Sequence, residues 1–240
     1  MEKIDILKNL ITYNPVNGKL RFGQLHDGGY VVVDGYEYDY FLGAGLNMEV
    51  SFEEEFSKKY PNVRGTGFDG QTGAKMPTGM EYMKKNIASE SNFYTTNLKE
   101  YAKRYNNIFI KMDIEAAEWD WIPSFEDCFP RVKQIVFEAH GFFEPHYWSN
   151  ENFDEKILEG LQILNKIHYL VHVHANNWAP KTFKIGEHIY PNVLELTFIR
   201  KEDSEIDGLN TTDLPLPEID YPNNMNDKEF DINFWPFNSK

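Results

Sequence analysis

Apolar positions along this chain fall in short runs separated by stretches of helical spacing, and the alternation is regular from residue 38 onward. Tyr38–Leu42, Arg64–Phe68, Ile108–Met112, Val132–Glu138, Tyr169–His174 and Val193–Arg200 read as strands, with Phe93–Thr96 as a shorter one. Between them, Glu49–Lys59 predicts a helix with Phe52 and Phe56 on one face. Its acids come early and its lysines late, as the helix dipole favours. Asn97 is placed to cap a helix carrying Leu98, Tyr101, Ala102 and Tyr105. Phe153, Ile157, Leu161 and Leu164 mark another, with Asn152 and Glu155 spaced like a capping box. Residues 71–90 are polar and fit neither period. Repeated strand–helix–strand units predict an α/β fold: a seven-stranded, mostly parallel sheet with helices on both faces.

The flanks differ from this middle. Ile4–Tyr13 has the spacing of a short amphipathic helix, ended by Pro15 and Gly18. Lys19–Gly23 and Asp27–Val33 read as a turn-linked β segment, a lid or edge layer over the sheet. The expected organisation is thus an N-terminal segment (1–37), a main domain (38–202) and a tail (203–240). Residues 203–240 hold nine Asp or Glu against two Lys, a net −7, half of the chain's −14. Composition predicts a solvated tail, whereas its aromatic end, Phe230 to Phe237, predicts docking on its own domain or on a second copy in a homo-oligomer. The overall charge disfavours nucleic acid as a partner. The single cysteine, Cys128, excludes an internal disulfide and reads as a core or loop residue. Residues 1–5 carry no apolar leader, and no run approaches the ~18 apolar residues of a membrane span. The expectation is a soluble, cytoplasmic protein.

Chemistry concentrates where strands stop. Gly43-Ala44-Gly45 follows the first strand, and Asp69 ends the second. Glycines let backbone approach a nucleotide-like ligand, and an acid at that tip can accept both ribose hydroxyls. A third dinucleotide-type glycine would fall at Met48, which disfavours NAD and leaves S-adenosylmethionine (SAM). Asp113, Glu115 and Glu118 crowd the end of the fourth strand, and such acids repel one another unless they face a ligand or a hydrogen-bond network. The structural alternative makes Glu118 a helix cap and Glu115 an exposed side chain. His140 follows the fifth strand, while His172 and His174 share a face of the sixth. A pocket shared by Asp113, His140 and His174 is the expectation. Asp113, Glu138 and His140 could instead bind a hard divalent ion and serve a metal-dependent hydrolase or lyase; the adopted reading assigns no metal.

These motifs together resemble the FkbM-like and neighbouring methyltransferase-like groups of class I SAM-dependent methyltransferases. The carriers are Arg21 with Asp27-Gly28-Gly29-Tyr30, Leu42-Gly43-Ala44-Gly45 with Ser51-Phe52-Glu53, Glu138-Ala139-His140-Gly141, and His174-Ala175-Asn176-Asn177 with Pro191-Asn192-Val193. Most specific is Lys111-Met112-Asp113-Ile114-Glu115-Ala116-Ala117-Glu118-Trp119, similar to a K-x-D-x-E-G-A-E pattern, with Ala116 where the family commonly has glycine. The likeness spans about residues 19–200. It implies a three-layer Rossmann-like class I methyltransferase fold with SAM across the carboxyl edge of the sheet. Gly43 and Gly45 would pass under the donor, Asp69 would hold its ribose, and Asn97 would lie near its adenine. Asp113 would sit near the methyl group and orient the acceptor. The implied activity is O-methylation of a hydroxyl on a small molecule or sugar, with His140 or His174 as the base. A protein that binds SAM without transferring methyl is the other alternative. The aromatic residues Tyr30, Trp119, Trp121, Phe142, Phe143, Tyr147, Trp148 and Trp178 could stack on a sugar or pack in the core.

Overall fold

The computed structural model describes residues 3–71, 73–143, 153–178 and 182–240. Its centre is a seven-stranded sheet: β1 (Tyr40–Ala44), β2 (Arg64–Phe68), β3 (Met80–Met83), β4 (Ile108–Met112), β5 (Val132–His140), β6 (His168–Ala175) and β7 (Val193–Arg200). The strands lie in the order β6-β7-β5-β4-β1-β2-β3. All neighbours are parallel except β7, which runs antiparallel to both β5 and β6. This is the expected seven-stranded, mostly parallel Rossmann-like α/β arrangement. From β1 the chain steps outward to β2 and β3, then crosses back to β4 on β1's other side. The reversal opens a crevice beyond the carboxyl ends of β1 and β4, where ligands bind in open α/β sheets.

Strand alternation sorts the core into two layers. Leu42, Ile110, Ile135, Phe137, Leu170, Val173 and Phe198 face one cluster, with Trp119, Trp121, Ile157, Leu161 and Leu164. Those helical residues come from α4 (Glu118–Phe125) and α5 (Asp154–Ile167); α1 (Lys3–Lys8) and α3 (Lys99–Ala102) join the same layer. Gly160 of α5 lets the helices close up, because a Cβ there would stand 2.9 Å from the Trp119 ring. On the opposite face Phe41, Phe109, Val136, Val171 and Ile199 meet Phe52 and Phe56 of α2 (Ser51–Lys59).

That second face has only α2 as a helix among the described residues. The hairpin of Lys19–Phe22 and Tyr30–Val33 covers much of the remainder. Hairpin backbone pressed on a sheet needs partners that a helix would supply for itself. Gln134, fully buried, accepts the Val33 N–H at 2.7 Å and donates to the Val33 carbonyl at 3.1 Å and to the Tyr38 hydroxyl. Thr197 Oγ1 donates to the Val31 carbonyl at 2.6 Å. The predicted edge layer is therefore a packed layer on the sheet face.

Several elements depart from the sequence reading. The third strand is Met80–Met83, inside the polar 71–90 stretch; Thr95–Thr96 instead makes a two-strand ladder with Asn86–Ile87. An edge strand is half solvated, so β3 lacks the apolar run that marks a central strand. Phe93 and Tyr94, which suggested a strand, are exposed. The helix predicted after Asn97 is only Lys99–Ala102, and the helix expected over Ile4–Tyr13 ends at Lys8, with Tyr13–Pro15 pairing with Ile206–Leu209. The tail is not solvated throughout: Leu214, Leu216, Ile232 and Phe237 join the first core cluster of their own chain. Asn152, His146, Tyr147 and Trp148 lie outside the described residues. No helix among the described residues is long and apolar enough to cross a membrane.

Candidate active site

A cavity of about 560 Å³ occupies the crevice, lined by residues that include Gly45, Asn47, Asp69, Asn86, Asp113 and Glu115. Gly45 sits at φ +72°, and a Cβ there would fall 1.5 Å from the Asp113 carbonyl oxygen. Only glycine lets the turn after β1 come that close to the turn after β4. The contact is pinned by the Gly45 N–H donating to the Phe68 carbonyl (3.0 Å) and the Asp113 N–H donating to the Ala44 carbonyl (3.0 Å). At the tip of β2, Asp69 accepts the Asn47 N–H on Oδ2 (3.0 Å) and the Gln71 N–H on Oδ1 (2.7 Å). These two fixed backbone donors orient the carboxylate at the strand tip.

The motif around β4 divides its labour. Lys111 is buried and donates to the Gly45 carbonyl at 3.3 Å, with its ammonium 5.3 Å from the Tyr30 ring centre. Glu53 of α2 is buried beneath Gly43, where a Cβ would stand 2.9 Å from its Oε1. Burial raises the Glu53 pKa, and the nearby Lys111 charge opposes that rise. Glu118 and Trp119, at the start of α4, hold the end of β5. One Glu118 oxygen, Oε1, accepts the His140 main-chain N–H (2.8 Å) and lies 3.2 Å from His140 Nδ1. The Trp119 indole N–H donates to the His140 carbonyl at 2.7 Å. Glu118 is thus a buried brace rather than a helix cap. Glu115, by contrast, has an exposed side chain (71%) on the rim.

Acids dominate the space beyond β4 and β5. His140 Nε2 is 3.7 Å from Glu115 Oε2 and 4.0 Å from Glu138 Oε2; Glu138 Oε1 accepts from Asn176 Nδ2. Burial disfavours an imidazolium at His140, but the Glu118 hydrogen bond and the charges of Glu118, Glu138 and Asp113 outweigh it and push the pKa up to about 10. Glu138 is raised well above the carboxylate range by burial and then by Asp113. Asp27, in the turn of the N-terminal hairpin, is raised by burial and then by Asp113. His174 belongs to an adjoining network: Nδ1 lies 3.1 Å from Glu195 Oε2, and Nε2 lies 3.5 Å from Glu229 Oε1 of the tail. Burial opposes its charge, yet Glu195, Glu229 and Asp220 carry it up to about 10.

The structure therefore brings Gly45, Asp69 and Asp113 to one cavity and places a ring nitrogen of His140 within 4.8 Å of an Asp113 carboxylate oxygen. Gly43 lies inside β1 and makes room for Glu53; it does not line the cavity. Asn97 does not line it either. Its side chain accepts the Lys99 N–H (3.2 Å) and the Ser91 hydroxyl (3.0 Å), and its amide donates to the Ser89 carbonyl (3.4 Å). On the wall where Asn97 was expected, Asn86 and Ile87 stand instead, with Lys85 beside them. They were missed because residues 71–90 carry no period; the Asn86–Ile87 ladder, too short to announce itself, is what aims them.

No family model matches the chain, and no curated protein matches it. Among solved structures it is similar to a fibrillarin/Nop5p complex chain, at 9% identity over 70% of this chain and 76% of that one (TM-score 0.43). It is similar to precorrin-6y C5,15-methyltransferase from Geobacter metallireducens at 11% identity, covering 83% and 88% of the two chains (TM-score 0.36). A third is the plantazolicin methyltransferase BpumL in complex with SAH, at 12% identity over 69% and 77% (TM-score 0.36).

Proposed function

We propose that this protein is a SAM-dependent O-methyltransferase of the FkbM-like kind, acting on a sugar or another polyhydroxylated small molecule. The observation that carries the reading is the cavity at the reversal of strand order, with Gly45, Asp69 and Asp113 on its wall. Its volume falls within the ~300–1,000 Å³ typical of small-molecule sites. The residues present fit the donor: Asp69 has acceptor capacity for two ribose hydroxyls, and Asp113 and Glu115 offer negative charge to a sulfonium. Bound there, SAM would supply a methyl group already activated for displacement.

The chain's own contribution is to hold an acceptor hydroxyl in line and remove its proton. His140 and His174, both held as imidazolium near neutral pH, are poor bases in that state. Glu138 is better suited. Burial has raised its proton affinity, Asn176 fixes one oxygen, and His140 lies beside the other. The exposed Trp178, whose N–H donates to Asn176 Oδ1 at 2.8 Å, stands next to this carboxylate and offers a ring face to a sugar.

Titration calorimetry with SAM tests the reading. Wild type should bind, and Asp69→Ala should bind roughly 10–100-fold more weakly, the loss of hydrogen bonds to a charged acceptor. Wild type that takes up no SAM or its demethylated product would overturn it.

A further inference from the structure

Beside the donor cavity lies a second constellation with its own chemistry. Asp113, Glu115 and His140 each present a ligating atom, all within 4.8 Å of one another. We infer that these three side chains form a site for a small divalent cation, Mg²⁺ or Mn²⁺, at the edge of the cavity. The inference rests on the methyltransferase reading only for what the cation would do there.

Three observations carry it beyond proximity. First, His140 is braced as metal-ligating histidines are. Nδ1 and the main-chain N–H both face Glu118 Oε1, Trp119 grips the carbonyl, and Nε2 is turned towards Glu115 and Glu138. A carboxylate behind the imidazole fixes ring orientation and raises ligand basicity. Second, Asp113 Oδ1 is shielded from solvent and meets no hydrogen-bond donor among the described residues. A buried carboxylate oxygen without a partner is costly and wants a cation or a donor. Third, the surroundings are rich in acid, with Glu138 only 6% exposed behind the three ligands and Asp27 close enough to Asp113 to feel its charge.

Two carboxylates and one imidazole suit a hard or borderline ion, and three protein ligands leave coordination positions for oxygen. Asp113 and Glu115 belong to both the cluster and the cavity wall. An acceptor hydroxyl ligated there is held at the cavity's edge, its acidity increased by the ion, with Glu138 within the same acid cluster to take the proton. The acceptor would then be an oxygen ligand, a hydroxyl rather than an amine or thiol.

The test uses the full chain, freed of metal with a chelator, titrated with Mn²⁺ and followed by calorimetry and electron paramagnetic resonance. One Mn²⁺ per chain is expected. Glu115→Gln, on an exposed side chain that leaves the fold intact, and Asp113→Asn should each weaken it by roughly 10-fold or more. His140→Gln should remove the nitrogen coupling from the Mn²⁺ spectrum. SAM titration of the same samples separates the two readings. Mn²⁺ bound with these variant effects but no SAM bound would leave the cation site standing and sink the donor reading. SAM bound by wild type with no stoichiometric Mn²⁺, or with Mn²⁺ indifferent to all three substitutions, overturns the cation site.

Discussion

At the scale of single residues, the loop after β4 is where the backbone carries a physical cost. Glu115 (φ +56°) and Ala116 (φ +73°) are both left-handed. An L side chain in that region costs roughly 1–2 kcal/mol, and glycine escapes it. Ala116→Gly should therefore stabilise the protein by about 1 kcal/mol after the added freedom of the unfolded chain is counted. Urea midpoints at constant m-value would check it, and a destabilised variant would mean that packing of the buried Ala116 methyl outweighs the strain. Gly45 is the opposite case. At φ +72° with a carbonyl where its Cβ would be, Gly45→Ala should abolish SAM binding or folding outright, visible as loss of the thermal shift that SAM should give the wild type.

At the scale of elements, the hairpin over β5 and β7 depends on Gln134. Replacing it with leucine keeps the volume and strips hydrogen-bond partners from the Val33 N–H and carbonyl and from the Tyr38 hydroxyl. Buried groups left unsatisfied cost ~1–3 kcal/mol each. Gln134→Leu should thus lose about 3 kcal/mol, with hydrogen exchange at the Val33 amide accelerating more than at β1 or β4. Equal acceleration across the sheet would mean that the hairpin has no separate opening.

At the scale of the whole molecule, buried histidines of opposite sense set the pH dependence of stability. His168 is fully buried, its Nε2 2.8 Å from the Val132 carbonyl, and burial lowers its pKa to about 4. The unfolded chain takes up that proton near pH 6.5 and the folded one does not. Its contribution is complete above 6.5 and is lost as pH falls towards 4, by roughly 3 kcal/mol. Asp220, held down to about 2 chiefly by His172 against the opposing effect of burial, adds a loss at still lower pH. His140 and His174, raised to about 10, run the other way: their contribution is complete below 6.5 and fades as pH climbs to 10. Stability should peak roughly at pH 6.5. In melts across pH 4–7, His168→Leu should flatten the acid limb, whatever it does to the maximum; an unchanged slope would exclude His168 as its source.

Short apolar runs were enough to define the five central strands, because each residue of a doubly covered strand must satisfy one apolar layer or the other: Phe41 one, Leu42 the next. The acids of the β4 motif were legible as a candidate site, since carboxylates crowded at the end of an apolar run repel one another unless something faces them. Local pattern could not supply β3, which is half solvated, or Asn86, whose place depends on pairing with Thr95 across a loop. Nor could it distinguish Gly43 from Gly45, identical in sequence context yet facing Glu53 in one case and the Asp113 carbonyl in the other. The protonation of His140 was decided furthest from the sequence. It follows from carboxylates on β4, α4 and β5 that only the folded chain brings within a few ångströms, where charges reinforce one another in poorly solvated surroundings.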